Sequence, residues 1–170
     1  MDAPRSAADR AEALFLAGHN CSQSVVLSLC EGLGMPRGLA ARASLGLGGG
    51  VGRLREVCGA VSGMAFLAGL RHGAEGADSE AKKRTYRAIQ EMAAEFRAGQ
   101  GTLLCRDILG LAPGEAGGDP EPRTPAFYER RKKCIACIRL AADIAERRLG
   151  GTPSGACGDQ KTPSSCGMVP

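Results

Sequence analysis

Residues 58–71 read CGAVSGMAFLAGLR, and the side chains are small on nearly every side of the helix that this stretch predicts. Glycine and alanine let the backbones of neighbouring helices approach closely, so we interpret the stretch as the central helix of a bundle. The segment before it contains glycines at 48, 49, 50 and 52. These glycines break the preceding helical pattern and indicate a tight turn between two helices.

Helical spacing continues on both sides of this stretch, and no segment alternates apolar and polar residues as a β-strand does. Ser6 is placed to cap a first helix and Gly18 to stop it. Pro36 suits the first turn of a third helix, and Thr102 can cap a short one that ends at Gly110. The sequence therefore predicts an all-α fold, a compact glycine- and alanine-rich bundle of about six helices. The helical segments cover 6–17, 20–32, 36–47, 58–71, 78–98, 102–110 and 126–149.

The two longest predicted helices carry apolar stripes, which indicate the face that each one buries. On the helix at 78–98 the stripe consists of Tyr86, Ile89, Ala93 and Phe96. On the helix at 126–149 it consists of Cys134, Cys137, Ile138, Ala141, Ile144 and Ala145. Both stripes are predicted to face the core of the bundle.

The length of 170 residues, 44% of them hydrophobic, suits one compact domain with its own core. We place this domain at 5–149, with an exposed loop rich in proline and glycine at 111–125. The remaining segment, 150–170, is polar and rich in glycine, serine and proline. It is predicted to be a disordered tail.

The net charge of +4 results from 22 basic and 18 acidic residues, which indicates solubility rather than a nucleic-acid surface. The densest basic run, 130–133, is short and has no aromatic residues among its charges, so it indicates a solvated helix face. No apolar stretch is long enough to span a bilayer, and residues 1–10 lack the apolar segment of a secretory signal. We therefore expect a cytoplasmic protein with neither nucleic-acid nor membrane partners.

The chain contains eight cysteines, and thiols in a reducing compartment are more often buried, metal-binding or catalytic than permanently bridged. Cys21, Cys58 and Cys105 each fall within the first turn or so of a predicted helix. Free backbone N–H groups and the helix dipole stabilise a thiolate there. Cys134 follows the basic run, a setting that also favours a thiolate. These four cysteines are the candidate site.

The other cysteines fit a functional site less well. Cys30 lies on an apolar stripe, which indicates packing. Cys137 forms a C-x-x-C pair with Cys134, but a zinc site of this type needs a second such pair in the folded domain. Cys157 and Cys166 lie in the predicted tail, so the sequence assigns them no role.

Four segments together resemble the family of redox-active proteins named for its C_GCAxxG_C_C signature. They read HNCSQSV (19–25), LGGGVGRLREVCGAVSG (47–63), LLCRDILG (103–110) and CIACIRLAADI (134–144). Their order and spacing follow the family over roughly residues 10–148, and combined motifs of this kind rarely coincide by chance. The central motif departs from the pattern, because Cys58 precedes Gly59 here and the glycine comes first in the family. On a helix this exchange turns the sulfur by about 100°.

The resemblance implies a redox function carried by Cys21, Cys58, Cys105 and Cys134, as catalytic thiols, as cofactor ligands or as metal ligands. Four thiolates are soft ligands, and an iron–sulfur cluster used for electron transfer or redox sensing is the interpretation we favour. The alternatives are metal-free thiol–disulfide exchange and a structural zinc site. The sequence does not specify the electron donor or acceptor. It also leaves open a site within one chain or one shared across a homodimer interface.

Overall fold

The computed structural model describes residues 6–112, 114–115 and 117–150. Within these residues the fold is all-α, as predicted, with eight α-helices and, as its one β-type pairing, an isolated bridge between Val57 and Leu104. The helices are α1 (Ala7–Leu16), α2 (Cys21–Leu29), α3 (Arg37–Leu45), α4 (Gly59–His72), α5 (Ser79–Gln100), α6 (Cys105–Leu109), α7 (Pro125–Arg130) and α8 (Lys132–Leu149).

Helix α4 packs against α2, α5 and α8, which gives it the central position that its small side chains predict. Gly63 shows why small residues are needed on this helix. A Cβ atom at Gly63 would lie 3.0 Å from the Cβ atom of Val25 and 3.1 Å from the carbonyl oxygen of Ser22. Helix α8 shares the central position, because it also packs against α1, α2 and α5.

Side-chain caps start three helices close to where the sequence predicts them. The Ser6 hydroxyl accepts a hydrogen bond of 3.1 Å from the backbone N–H of Asp9 at the start of α1. Asn20 and Gln23 form a reciprocal capping box at the start of α2. The Asp78 carboxylate caps α5. The capping box fixes the direction in which the chain enters α2, whose first residue is a cysteine.

Several helices are shorter than predicted. Helix α2 ends at Leu29 and is followed by a separate 3₁₀ turn, Glu31–Leu33, where the sequence predicts one continuous helix. Helix α3 ends at Leu45, and α6 begins only at Cys105. The residues before α6 are extended because they form hydrogen bonds with the segment that precedes α4. Long-range pairing of this kind cannot be predicted from the helical periodicity of the sequence.

The helix predicted over 126–149 is interrupted, because Arg131 (φ −107°, ψ 16°) leaves helical geometry between α7 and α8. Its guanidinium lies 2.5 Å from a carboxylate oxygen of Glu121 and 5.4 Å from the ring centre of Phe127. These tertiary contacts hold the break in place. As a consequence, Cys134 lies in the first turn of α8 rather than in the middle of a long helix.

The predicted apolar stripe of α5 is partly wrong. Met92 and Phe96 are fully buried and Ala81 is nearly so, whereas Tyr86 is 54% exposed. Tyr86 lies more than a quarter of a turn away from the line through these buried residues. The stripe predicted for α8 is confirmed at the positions that face the core, Cys137, Ile138, Ala141, Ile144 and Ala145.

The predicted tail, 150–170, lies outside the described residues except for Gly150, and so do Cys157 and Cys166. None of the helices in the described part of the chain combines the length and the apolar content needed to cross a membrane.

Candidate functional site

The segment between α3 and α4 is a tight glycine-rich loop that leads to Cys58. Three backbone hydrogen bonds close the loop on itself, from residue 52 to 46, from 55 to 49 and from 56 to 50, at 2.8, 3.2 and 3.1 Å. The backbone is left-handed at 49–53 and at 55. Glycine adopts this conformation easily and other residues rarely do, which explains the glycine run.

This loop is tied to the start of α6, and the ties bring two cysteines together. The backbone N–H of Cys58 donates to the carbonyl oxygen of Leu103 at 2.8 Å, and that of Cys105 donates to Glu56 at 2.7 Å. A third hydrogen bond runs from Arg106 to the neighbouring carbonyl of the loop at 3.1 Å. Two helix starts that are distant in sequence therefore lie side by side.

All four candidate cysteines line one cavity of about 450 Å³. Cys21 and Cys105 are the first residues of α2 and α6, Cys58 is the N-cap of α4, and Cys134 lies in the first turn of α8. Cys58 and Cys105 are buried, whereas Cys21 and Cys134 are partly exposed. The helix starts thus converge on the cavity, as the placement of these residues at helix N-termini suggests.

The exchange of cysteine and glycine in the central motif does not turn the sulfur around a helix. Cys58 precedes the helix in an extended conformation (φ −54°, ψ 131°), and its side chain lines the cavity with the other three. Its thiol also interacts with the thiol of Cys137, which raises the pKa of Cys58. Cys137 is 1% exposed, and its sulfur lies 3.5 Å from the side-chain oxygen of Gln100. Cys30 is fully buried in the core and is not part of the cavity wall.

The pKa values of the thiols are raised, whereas the sequence predicts stabilised thiolates with lowered pKa values. Burial, together with the charge of Cys58, raises the pKa of Cys21 to about 12, against hydrogen bonds from backbone N–H groups that lower it. Burial and the charge of Cys21 likewise raise the pKa of Cys134 to about 12. The interaction with Cys137, followed by burial, raises the pKa of Cys58 well above its usual range. Desolvation therefore outweighs the helix N-termini.

Burial also raises the pKa of Cys105, although the Arg55 guanidinium donates a hydrogen bond to its sulfur and acts in the opposite direction. All six cysteines in the described part of the chain are free thiols. The same residues contain no group of three or more histidine, cysteine, aspartate or glutamate side chains close enough together to hold one metal ion.

The cavity wall also carries charged side chains that the sequence analysis did not assign to the site. Arg53, Arg55 and Arg131 line it, and Glu121 is the carboxylate among them. Arg106, which is adjacent to Cys105 in sequence, instead pairs with Glu56 at 2.8 Å and is partly exposed. The arginines at 53 and 55 alternate within the left-handed loop. Because the loop has no helical or strand period, hydrophobic periodicity does not predict which of its side chains line the cavity.

Replacing Gly59 with alanine is expected to destabilise the protein by about 1–3 kcal/mol, because the new methyl group overpacks the site. A Cβ atom there would lie 2.4 Å from Sγ of Cys21 and 2.9 Å from the carbonyl oxygen of Leu47. Gly69, in the same helix, has no atom within 4 Å of such a Cβ. Gly69→Ala is therefore expected to stabilise by roughly 0.5–1 kcal/mol. Urea unfolding of both variants measures the difference, and equal effects would contradict the close approach of α4 to Cys21.

Comparison with curated proteins gives no match, and comparison with solved structures gives none either. Residues 19–148 match the model of the family described as "Putative redox-active protein (C_GCAxxG_C_C)". The matched region includes all four cysteines of the cavity, the left-handed loop and the core helices α4 and α8. The chain belongs to the C_GCAxxG_C_C family of redox-active proteins.

Proposed function

We propose that this chain is a redox protein in which Cys21, Cys58, Cys105 and Cys134 hold an iron–sulfur cluster for electron transfer or redox sensing. The observation that carries the proposal is that these four thiols, from four different helix starts, line one cavity of about 450 Å³. Thiolates are the usual ligands of such clusters. A cluster bound by these residues supplies one-electron chemistry, which the side chains of the protein cannot supply alone.

The raised pKa values support a metal centre over free thiolates. With pKa values of about 12, the thiols of Cys21 and Cys134 stay protonated at neutral pH when no cation is near. A protonated thiol is a poor nucleophile and a poor ligand. A metal cation in the cavity reverses this preference, because it deprotonates the thiols that bind it. The four cysteines are therefore better suited to hold a metal centre than to act as four independent nucleophiles.

A single zinc ion and a cluster place different demands on the spacing of their ligands. One zinc ion needs its ligands about 2.3 Å from the same point, so that all four sulfurs lie close together. The described residues contain no group of three ligating side chains that meets this requirement. A cluster distributes its ligands over several metal atoms, so its four sulfurs need not meet at one point.

The surroundings of the four thiols stabilise negative charge on their sulfurs and limit the access of water. The backbone N–H groups of Gly49 and Ala60 lower the pKa of Cys21 and of Cys58 respectively, and the Arg55 guanidinium lowers that of Cys105. Hydrogen bonds to ligand sulfurs and nearby positive charge raise the reduction potential of a thiolate-bound centre. Burial of two of the four thiols limits contact with water and with oxidants.

The test is analysis of iron, zinc and acid-labile sulfide, together with a visible spectrum, on the full chain purified without oxygen. We expect iron and sulfide in comparable amounts and a broad charge-transfer absorption that bleaches on reduction. Zinc without iron would contradict the proposal in favour of a structural site. Protein without any bound metal, from cells supplied with iron, would contradict it as well.

A second candidate function is metal-free thiol–disulfide exchange, which one observation favours. The thiol of Cys58 interacts with that of Cys137, and Cys58 lines the cavity. Oxidation of this pair forms one disulfide and releases two protons and two electrons, which reduce a partner disulfide to two thiols. If the purified protein contains no metal, peptide mass spectrometry after equilibration with oxidised glutathione tests for a bond between these two residues.

A further inference from the structure

Arg55 occupies a strained backbone position next to the cysteine site. Its φ is +62°, in the left-handed region that side-chain-bearing residues rarely adopt, and Val51 and Arg53 share this conformation. The strain is held by backbone hydrogen bonds, from Arg55 to Gly49 at 3.2 Å and from Arg106 to Arg55 at 3.1 Å. Strain of this kind persists where the surrounding structure enforces it, and it concentrates at functional sites.

The Arg55 side chain is a buried cation that lacks a carboxylate partner within the described residues. The residue is 8% exposed and lines the cavity, and its Nε has no hydrogen-bond partner. A buried charge without an opposite charge is costly, so the cavity as it stands favours an incoming anion.

Among the arginines of the cavity wall, Arg55 alone is both buried and without a carboxylate partner in the described residues. Arg53 and Arg131 both pair with the Glu121 carboxylate, at 3.6 and 2.5 Å. Arg123 is exposed and lines the cavity, and no carboxylate partner is recorded for it in the part of the chain that the structure describes. One of its N–H groups donates to the carbonyl oxygen of His19 at 3.3 Å. The wall thus holds four arginines and one glutamate, which leaves an excess of positive charge.

Much of the rest of the wall is apolar. Two phenylalanine rings, Phe15 and Phe127, lie beneath the Arg123 guanidinium at 4.9 and 4.6 Å from their centres. Leu45, Ile108 and Leu109 also line the cavity. A concave site of this size with apolar walls and few charged groups is typical of sites for small organic molecules. A free inorganic ion would leave these apolar surfaces uncovered.

We propose that this cavity binds a small organic anion, whose carboxylate or phosphate group pairs with Arg55 and whose apolar part lies against the phenylalanine and leucine side chains. A guanidinium suits both oxyanions, because its N–H groups form paired hydrogen bonds with two oxygens. Arg55 lines the cavity and is the buried arginine of its wall without a carboxylate partner in the described residues. The ligand then lies beside Cys105. A redox role for the bound anion therefore rests on the proposed function, whereas binding of the anion does not require a cluster.

Isothermal titration of the full chain, purified without oxygen and analysed for iron, tests this inference with four probes: benzoate, phenyl phosphate, inorganic phosphate and benzylamine. We expect saturable binding of benzoate or phenyl phosphate, and the tighter of the two identifies the anionic group. Benzylamine has the same ring and the opposite charge, and is expected not to bind. If inorganic phosphate bound as tightly as phenyl phosphate, the result would contradict a contribution of the apolar wall to binding.

Arg55→Met keeps the apolar stem and removes the charge, and is expected to weaken binding of the anionic probe by at least about tenfold. Arg106→Met is the matched control, because Arg106 pairs with Glu56 outside the cavity, and its binding is expected to be unchanged. If Arg55→Met does not fold, Arg55→Lys keeps the charge without the planar donor group and is expected to weaken binding less.

Equal binding by wild type and a folded Arg55 variant, equal weakening by Arg106→Met, or no binding of either organic anion would overturn the inference. These outcomes are separate from the iron analysis of the same sample. Iron without anion binding removes the inference and leaves the proposed function standing. Anion binding without iron supports the inference and contradicts the proposed function.

Discussion

Replacing Cys21 with alanine is expected to lower the iron and acid-labile sulfide content of protein purified without oxygen by more than about tenfold. Cys21 is the first residue of α2, lines the cavity and accepts a hydrogen bond from the backbone N–H of Gly49. The capping box of Asn20 and Gln23 holds this position independently of the thiol. Helix α2 should therefore form in the variant, and the missing sulfur should be the main defect.

Cys30→Ala is the matched control for this variant. Cys30 lies at the other end of the same helix, is fully buried and is not part of the cavity wall. We expect Cys30→Ala to lose some stability through a small cavity and to keep its iron. Circular dichroism on both variants separates unfolding from loss of the centre. Full iron content in folded Cys21→Ala, or equal loss in both variants, would remove Cys21 from the site.

Cys137 distinguishes the two candidate functions. Its thiol interacts with that of Cys58 but does not line the cavity, so a cluster held by the other four cysteines does not need its sulfur. Iron content in Cys137→Ala is therefore expected to remain close to that of the wild type. Loss of thiol–disulfide activity in this variant, in a protein without iron, would instead identify the pair as the reactive group.

Local signals in the sequence predict most of the helices, because caps act within a few residues of the chain. Ser6, Asn20 and Asp78 start helices within one residue of the predicted positions. The break at Arg131 has no such signal, since neither glycine nor proline occurs there. It is held by Glu121 and Phe127, and contacts between separate elements cannot be inferred from the residues on either side.

The cysteines of the site are predictable for a similar reason. Three of them mark helix starts, and a helix start gives a local sequence pattern as well as a location at the end of a bundle. The arginines are not predictable in this way. Arg53 and Arg55 belong to a left-handed loop without periodicity, and whether such a side chain faces solvent or the cavity depends on how the loop packs.

The direction of the thiol pKa values also escapes local reasoning. The helix N-terminus contributes a stabilising term that can be inferred from position, and backbone N–H groups do lower the pKa of Cys21 and of Cys58. Burial and the mutual repulsion of the thiols raise it by more. These two effects exist only once the four helices have assembled. The sequence therefore predicts the effect of the helix N-terminus, which lowers the thiol pKa, but not the effects that raise it.

Replacing Gly50 with alanine is expected to have the largest effect on stability, a loss of about 2–5 kcal/mol in the free energy of unfolding. Gly50 has φ +70°, which alanine adopts at a cost of about 1–2 kcal/mol. In addition, a Cβ atom there would lie 2.7 Å from Cβ of Cys105 and 2.7 Å from the backbone nitrogen of Glu56. The loop backbone and α6 must move apart to accommodate it, which adds about 1–3 kcal/mol.

Gly52 separates these two contributions. It lies in the same loop with φ +55°, and no atom lies within 4 Å of a Cβ built on it. Gly52→Ala therefore carries the backbone cost alone and is expected to lose only about 1–2 kcal/mol. Urea unfolding of the two variants measures the difference. Equal losses would show that the loop does not press against α6.

The same pair of variants connects stability with the site. A Cβ atom at Gly50 would clash with Cys105 and with the backbone of Arg55, so its replacement displaces one thiol of the cavity and the buried guanidinium together. Folded Gly50→Ala should therefore lose both iron and binding of the organic anion, whereas Gly52→Ala should keep both. Loss of iron with intact anion binding would indicate that Arg55 and Cys105 are positioned independently. That result would contradict the role we assign to the left-handed loop as their common support.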